Sequence, residues 1–199
     1  MIGFLRGSLI GTYSDFIILD VNGVGYKVFL SMPSIAKVMA IEDEISLFIT
    51  TVVKEDSISL YGFEGEDEQS VFEKLLSVSG LGVKSAMGAL SSLSVGEIVS
   101  AVVNEDINIL SQIPNVGKKT AQRMVLELKD KFININLSDE VKSISKDAVI
   151  ISEAVDVLIS LGYSRSDARK AVDMVYTKIE IKDTSVIIKK SLSILSKGF

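Results

Sequence analysis

The chain has 199 residues, 47% of them hydrophobic, and a net charge of −5. That composition supports packed cores and excludes wholesale disorder, and no apolar run reaches the roughly 18–20 residues of a membrane span. It has no His and no Cys, which excludes His-based acid–base catalysis, His-containing metal sites, Ser-His-Asp triads and a disulfide framework.

The opening residues 1–6 read as a strand, without the charged leader and cleavage site of a secretion signal, so a cytoplasmic location is expected. No G-x-x-x-x-G-K-[ST] loop occurs, so ATP hydrolysis by that route is not expected.

Residues 1–63 read as β. Short apolar or alternating runs fall at 2–5, 16–21, 26–30, 45–53 and 58–63, and Asn22-Gly23 between two of them is a hairpin signal. Pro33 breaks the chain after the third run, and 34–39 reads as a helical turn. Five short strands predict a small closed or nearly closed barrel of OB type. Lys54-Glu55-Asp56-Ser57 falls at the tip of its last hairpin.

Residues 64–134 read as helical, with runs at 69–78, 84–93, 95–104, 106–112 and 118–132. Ser94 with Glu97 has the spacing of a capping box. Residues 135–147 are polar and aperiodic and read as a linker. Three helices follow at 148–161, 166–176 and 184–195, with Gly162 as a C-cap and Ser164 with Asp167 as a second capping pair. The fold class is therefore α+β and multidomain: barrel (1–63), central helical domain (64–134), linker (135–147) and a three-helix bundle (148–199). Ten basic residues against nine acids after residue 134 suit a protein partner for the bundle better than DNA.

One pattern occurs twice in the central region. Ser79-Gly80-Leu81-Gly82-Val83-Lys84-Ser85-Ala86 and Pro114-Asn115-Val116-Gly117-Lys118-Lys119-Thr120-Ala121 each follow an apolar stretch and open a helix, 35 residues apart. A tight turn into a helix leaves N–H groups unpaired at the positive end of the dipole, which is an anion site. Small residues let a phosphate approach the backbone, and Lys84, Lys118, Lys119 and Arg123 add charge. Two such sites in one domain suit a nucleic-acid backbone. The net acidity is reconciled by a basic face opposite an acidic back, since global charge does not fix the local field. Contacts of this kind position DNA without reading its sequence.

Taken in order, several motifs resemble the RuvA family, the Holliday-junction-binding subunits of bacterial branch-migration complexes. They are Met1-Ile2-Gly3, Leu5-Arg6-Gly7, Val21-Asn22-Gly23-Val24-Gly25-Tyr26, Val53-Lys54-Glu55-Asp56, Leu60-Tyr61-Gly62-Phe63, both glycine turns, and Leu161-Gly162-Tyr163. The resemblance implies an OB-fold, a pair of helix-hairpin-helix motifs and a small mobile C-terminal domain, assembled as a homotetramer on an open, square four-way junction in recombination and repair. It implies junction contacts from Ser79, Gly80, Gly82, Val83, Lys84, Asn115, Gly117, Lys118, Lys119 and Arg123. Asn115 stands where the family usually has Gly, and Asn accepts left-handed geometry better than most residues. Glu55 and Asp56 become an acidic pin at the tetramer centre that repels strands into separate channels. The C-terminal domain is implied to bind the RuvB ATPase, with RuvC joining a larger complex, so this chain is not itself an enzyme and needs no cofactor. Exposed apolar residues of the last helix, Ile187, Ile188, Leu192 and Leu195, are candidates for that contact, though the same residues suit a bundle core. Read without the resemblance, the residues also leave open a magnesium-dependent junction nuclease using the Glu55 and Asp56 carboxylates, or a scaffold whose glycine turns only end helices.

Overall fold

The computed structural model describes residues 1–135, 137–179 and 183–196, and the side chains of all of these except 139–149. Strands β1 (Phe4–Thr12), β2 (Phe16–Val21), β3 (Val24–Phe29), β4 (Ile45–Val53) and β5 (Ile58–Phe63) close a barrel in the order β1-β2-β3-β5-β4. Every pairing is antiparallel except β3 with β5, where Val28 faces Leu60 and Phe29 faces Tyr61. This is the expected OB architecture. Asn22 and Gly23 make the β2–β3 turn with φ of 54° and 86°, the left-handed pair of a two-residue hairpin. Alternate residues Ile17 and Leu19, and Ile45, Leu47 and Ile49, point into the barrel core. Helix α1 (Met32–Val38) starts earlier than expected, because Ser31 Oγ accepts the Ser34 N–H at 3.3 Å and Pro33 fits the first turn. It adds Ile35 and Val38 to that core.

The central body contains α2 (Glu66–Leu76), α3 (Val83–Ser92), α4 (Val95–Val103), the single turn α5 (Ile107–Leu110) and α6 (Lys118–Ile133). The Ser94–Glu97 capping box forms in full at the start of α4. The Ser94 backbone and side-chain donors hold the Glu97 carboxyl below its usual range. The barrel and this body share apolar contacts. Phe63, fully buried at the end of β5, packs on Phe72 of α2 at 4.9 Å between ring centres, and Tyr61 stacks between Phe29 and Phe72. Tyr61 and Phe63 are thus packing residues. Gln69 Nε2 donates to the Ile49 carbonyl at 3.0 Å, tying α2 to β4.

Helices α7 (Asp139–Ser160), α8 (Arg165–Tyr176) and α9 (Thr184–Leu195) form the C-terminal bundle around Ala154, Leu158, Ala168, Val172 and Ile187. The structure departs here from the linker expected over 135–147. Leu137 is buried in the central core, the Ser138 N–H donates to Asp67 at 3.0 Å, and helix begins at Asp139. Local polarity suggested a free segment, whereas contacts with distant residues hold it. Helix α7 packs along α4, where Ser152 Oγ donates to the Val103 carbonyl. Beside them Glu105 bonds Lys129 at 2.8 Å and Arg165 at 2.7 Å, while Asp156 lies 3.7 and 3.8 Å from the same two cations.

Burial pushes the Glu105 carboxyl up, but Lys129 and Arg165 outweigh it and hold the group below its ordinary value of 4.5. As pH falls below about 4.5 the unfolded chain takes up this proton before the folded chain does, so the Glu105 contribution to stability is present above that range and is lost below it. In Glu105→Gln, urea unfolding followed between about pH 6 and pH 3 is therefore expected to show lower stability at pH 6 and a shallower acid decline than the parent. Parallel curves would remove Glu105 from the acid response.

Candidate nucleic-acid interface

The duplicated segments fold into two near-identical turns. In each, an apolar residue sealed in the core precedes the turn (Val78, Ile113), and a second one lies within it (Leu81, Val116). The Leu81 N–H donates to the Val78 carbonyl at 3.1 Å, and the Val116 N–H donates to the Ile113 carbonyl at 3.0 Å. Between these residues the chain takes a left-handed conformation, at Gly80 with φ of 85° and at Asn115 with φ of 64°. Asn115 therefore performs the backbone task of the glycine in the first copy. Gly82 and Gly117 then act as N-caps in matching extended conformations, φ −88° and ψ 174° against φ −86° and ψ 171°.

The helices that follow, α3 and α6, begin bare. Neither has a side-chain cap or an acidic residue in its first turn. The contrast with their neighbours is direct: α2 opens on Glu66, Asp67 and Glu68, α4 carries Glu97, α8 has Ser164 with Asp167, and α9 is capped by Asp183. Those acids neutralise the positive helix end. At α3 and α6 the donors stay available, with exposed Lys84, Lys118 and Lys119 beside them and half-buried Val83 at the first helical position. Ser85 and Thr120 are equivalently placed hydroxyls one residue further on, a repeated feature that sequence reading passed over.

Beyond capping α3 and α6, Gly82 and Gly117 meet no packing or backbone demand for a missing side chain. Their φ values suit any residue, and a Cβ added at either would meet no protein atom within 4 Å. The space in front of each is open, which leaves room for a ligand to approach the backbone closely.

Two expected contact residues are used differently. Arg123 was read as a phosphate cation, yet its Nη1 donates to the Ser79 carbonyl at 2.9 Å. Ser79 in turn gives its N–H to Glu127 Oε2 at 3.3 Å, so this amide is not a free anion donor. Glu127 and Lys131, which also reaches back to this turn through Ser77 Oγ, were missed; their signal is the spacing of four from Arg123 along α6.

Glu55 and Asp56 are exposed at the β4–β5 tip, closed by the Lys54 N–H bonding the Ser57 carbonyl at 2.8 Å. Among the described residues no group of three or more acidic side chains is placed to hold a metal ion. Of the residues expected to meet a partner, Ile187 is fully buried in the bundle core and is unavailable, while Ile188, Leu192 and Leu195 pack partly against that core. A shallow groove between α8 and α9 is lined by Met174, Lys178, Ile179, Lys190 and Ile194. Among the described residues no single helix is long and apolar enough to cross a membrane.

Three stretches of the chain match known family models. Residues 1–62 match the RuvA N terminal domain, 72–130 the SAM-like helix-hairpin-helix tandem and 150–196 the RuvA C-terminal domain. The chain is 40% identical over 203 residues to a protein of Acetivibrio thermocellus named Holliday junction branch migration complex subunit RuvA, covering 99% of this chain and all of that one. Proteins of the same name from Clostridium tetani and Hathewaya histolytica are each 38% identical, over 98% of this chain and 99% of theirs. With the tandem turns built as they are and the match running end to end, the chain belongs to the RuvA family.

Proposed function

We propose that the chain binds four-way junction DNA through its sugar–phosphate backbone, at the bare starts of α3 and α6, and serves as the junction-holding subunit of a branch-migration complex. The observation that carries this reading is the pair Gly82 and Gly117, whose missing side chains serve neither backbone conformation nor packing. Each turn offers helix N–H donors, an uncompensated dipole end and lysine charge to one phosphate. None of these groups reads a base, and a crossover that must slide through any sequence requires that indifference.

Four copies around a four-fold axis match the four arms of an open, square junction. Ile10, Tyr13, Val24 and Ile58 are each more than half exposed on the barrel, apolar surface of the kind self-association covers. In that assembly the Glu55 and Asp56 tips meet at the centre and repel the crossing strands apart. The C-terminal bundle recruits the RuvB ATPase, the α8–α9 groove offering an apolar surface for it, and RuvC joins the larger complex. The chain itself is not the motor, and the complex works in the cytoplasm.

The test is a titration of a synthetic four-way junction against a linear duplex of equal length, with magnesium present. The parent should prefer the junction and leave it uncut; cleavage would move the chain to the nuclease class. Gly82→Ala and Gly117→Ala should each weaken junction binding about tenfold or more. Their stability should shift by less than about 1 kcal/mol, since a poorer N-cap and a less flexible unfolded chain oppose one another. Gly80→Ala should instead lose about 1–2 kcal/mol, because its φ is left-handed. Unchanged binding by the first two variants would return the turns to a purely structural role. Glu55→Gln combined with Asp56→Asn should tighten junction binding and alter the branch-migration rate with RuvB; a variant matching the parent in both would remove the pin.

A further inference from the structure

Helix α6 carries the second turn at its own N-terminus and also holds the first turn with its flank. Arg123, Glu127 and Lys131 follow at intervals of four, so they stack on one face. All three reach the segment that enters the first turn. Arg123 Nη1 donates to the Ser79 carbonyl at 2.9 Å and to Ser79 Oγ at 3.4 Å. Glu127 Oε2 accepts the Ser79 N–H at 3.3 Å, and Lys131 Nζ donates to Ser77 Oγ at 2.9 Å. Arg123 and Glu127 also face each other at 3.9 Å. Both backbone groups of Ser79 are therefore gripped, the carbonyl by a cation and the N–H by an anion. Val78, Leu81 and Met124 also share one apolar core, and such non-directional packing holds distance better than orientation.

Glu127 is the informative member. A carboxylate beside a phosphate-binding turn opposes the field that draws DNA in, so attraction of DNA gives no reason for it at this place. The bond to Ser79 does. We propose that Arg123 and Glu127 are positioning residues, which lock the first turn onto α6 so that the two phosphate sites keep one fixed separation and orientation. This rests on reading the turns as phosphate sites. A backbone phosphate pair has a set spacing, and two sites bind it together only when their own spacing is already fixed.

Glu127→Gln and Glu127→Ala test the proposal, because both remove the same charge and only Gln keeps an acceptor for the Ser79 N–H. In junction titrations of the full chain at about 0.1 M salt, Ala should bind about tenfold more weakly than Gln. In the free proteins the Ser79 amide should exchange hydrogen faster in Ala than in Gln. Arg123→Lys keeps the charge but loses the planar reach, and should also weaken binding and speed that exchange. Equal binding and equal exchange in the two Glu127 variants would overturn the proposal, leaving Glu127 as a charge alone. A parent chain with no salt-sensitive DNA binding would instead sink the phosphate-site reading, and the exchange comparison would still report on the lock. Should Ala at 127 fail to fold, as judged by its thermal transition, the Arg123→Lys measurements decide the matter by themselves.

Discussion

Burial of Leu81 and Val116 is the constraint on which the binding face depends. Each sits inside a turn whose neighbours on both sides are exposed, Gly80 and Gly82 in one copy and Asn115 and Gly117 in the other. The turn is thus anchored from within by an apolar side chain and left bare on its outer surface. A fully buried aliphatic side chain contributes about 1.5–3 kcal/mol relative to exposure, enough to hold a two-residue turn against the left-handed strain at Asn115. Both anchors belong to one core with Phe63 and Phe72. The barrel that carries the acidic β4–β5 tip is therefore packed against the same body as the two turns.

The net charge of −5 is compatible with this face because the acids do their work locally. Many sit in the first turn or at the N-cap of α2, α4, α8 and α9 or pair with lysines and arginines, while the first turns of α3 and α6 have none. At physiological salt, exposed charges further away than about 8 Å are largely screened. Both turns present bare donors and lysines; Glu127 lies beside the first turn on the Ser79 N–H, and carboxylates further off contribute little. Net charge would have given the wrong sign for the ligand; the distribution of caps gives the right one.

Much of the architecture was legible because the signals were local. The Asn22-Gly23 hairpin, the Ser94–Glu97 box, the duplicated turn and the left-handed tolerance of Asn115 each depend on a few adjacent residues. What sequence reading missed depends on partners far along the chain. Polar composition marked 135–147 as a linker, yet Leu137 enters the central core and Ser138 bonds Asp67, 71 positions away. Arg123 carried the right charge for a phosphate, but its direction is set by Ser79, 44 positions away. Ile187 lies on an apolar stripe, and a stripe does not tell whether the bundle or a partner covers it; here the bundle does.

Helix α6 links three regions. Its N-terminus opens from the second glycine turn, its flank holds the first, and near its C-terminal end Lys129 enters the ion-pair group with Glu105, Asp156 and Arg165 beside the C-terminal bundle. These attachments differ in strength. The turns rest on buried apolar contacts, whereas the four ion-pair members remain about a quarter to a half exposed, and pairs of that kind contribute about 0–1 kcal/mol each. Salt that screens them leaves the apolar core of the turns intact. The ion pairs are therefore the salt-sensitive part of the bundle's seat, beside the packing of α7 along α4 that also holds it.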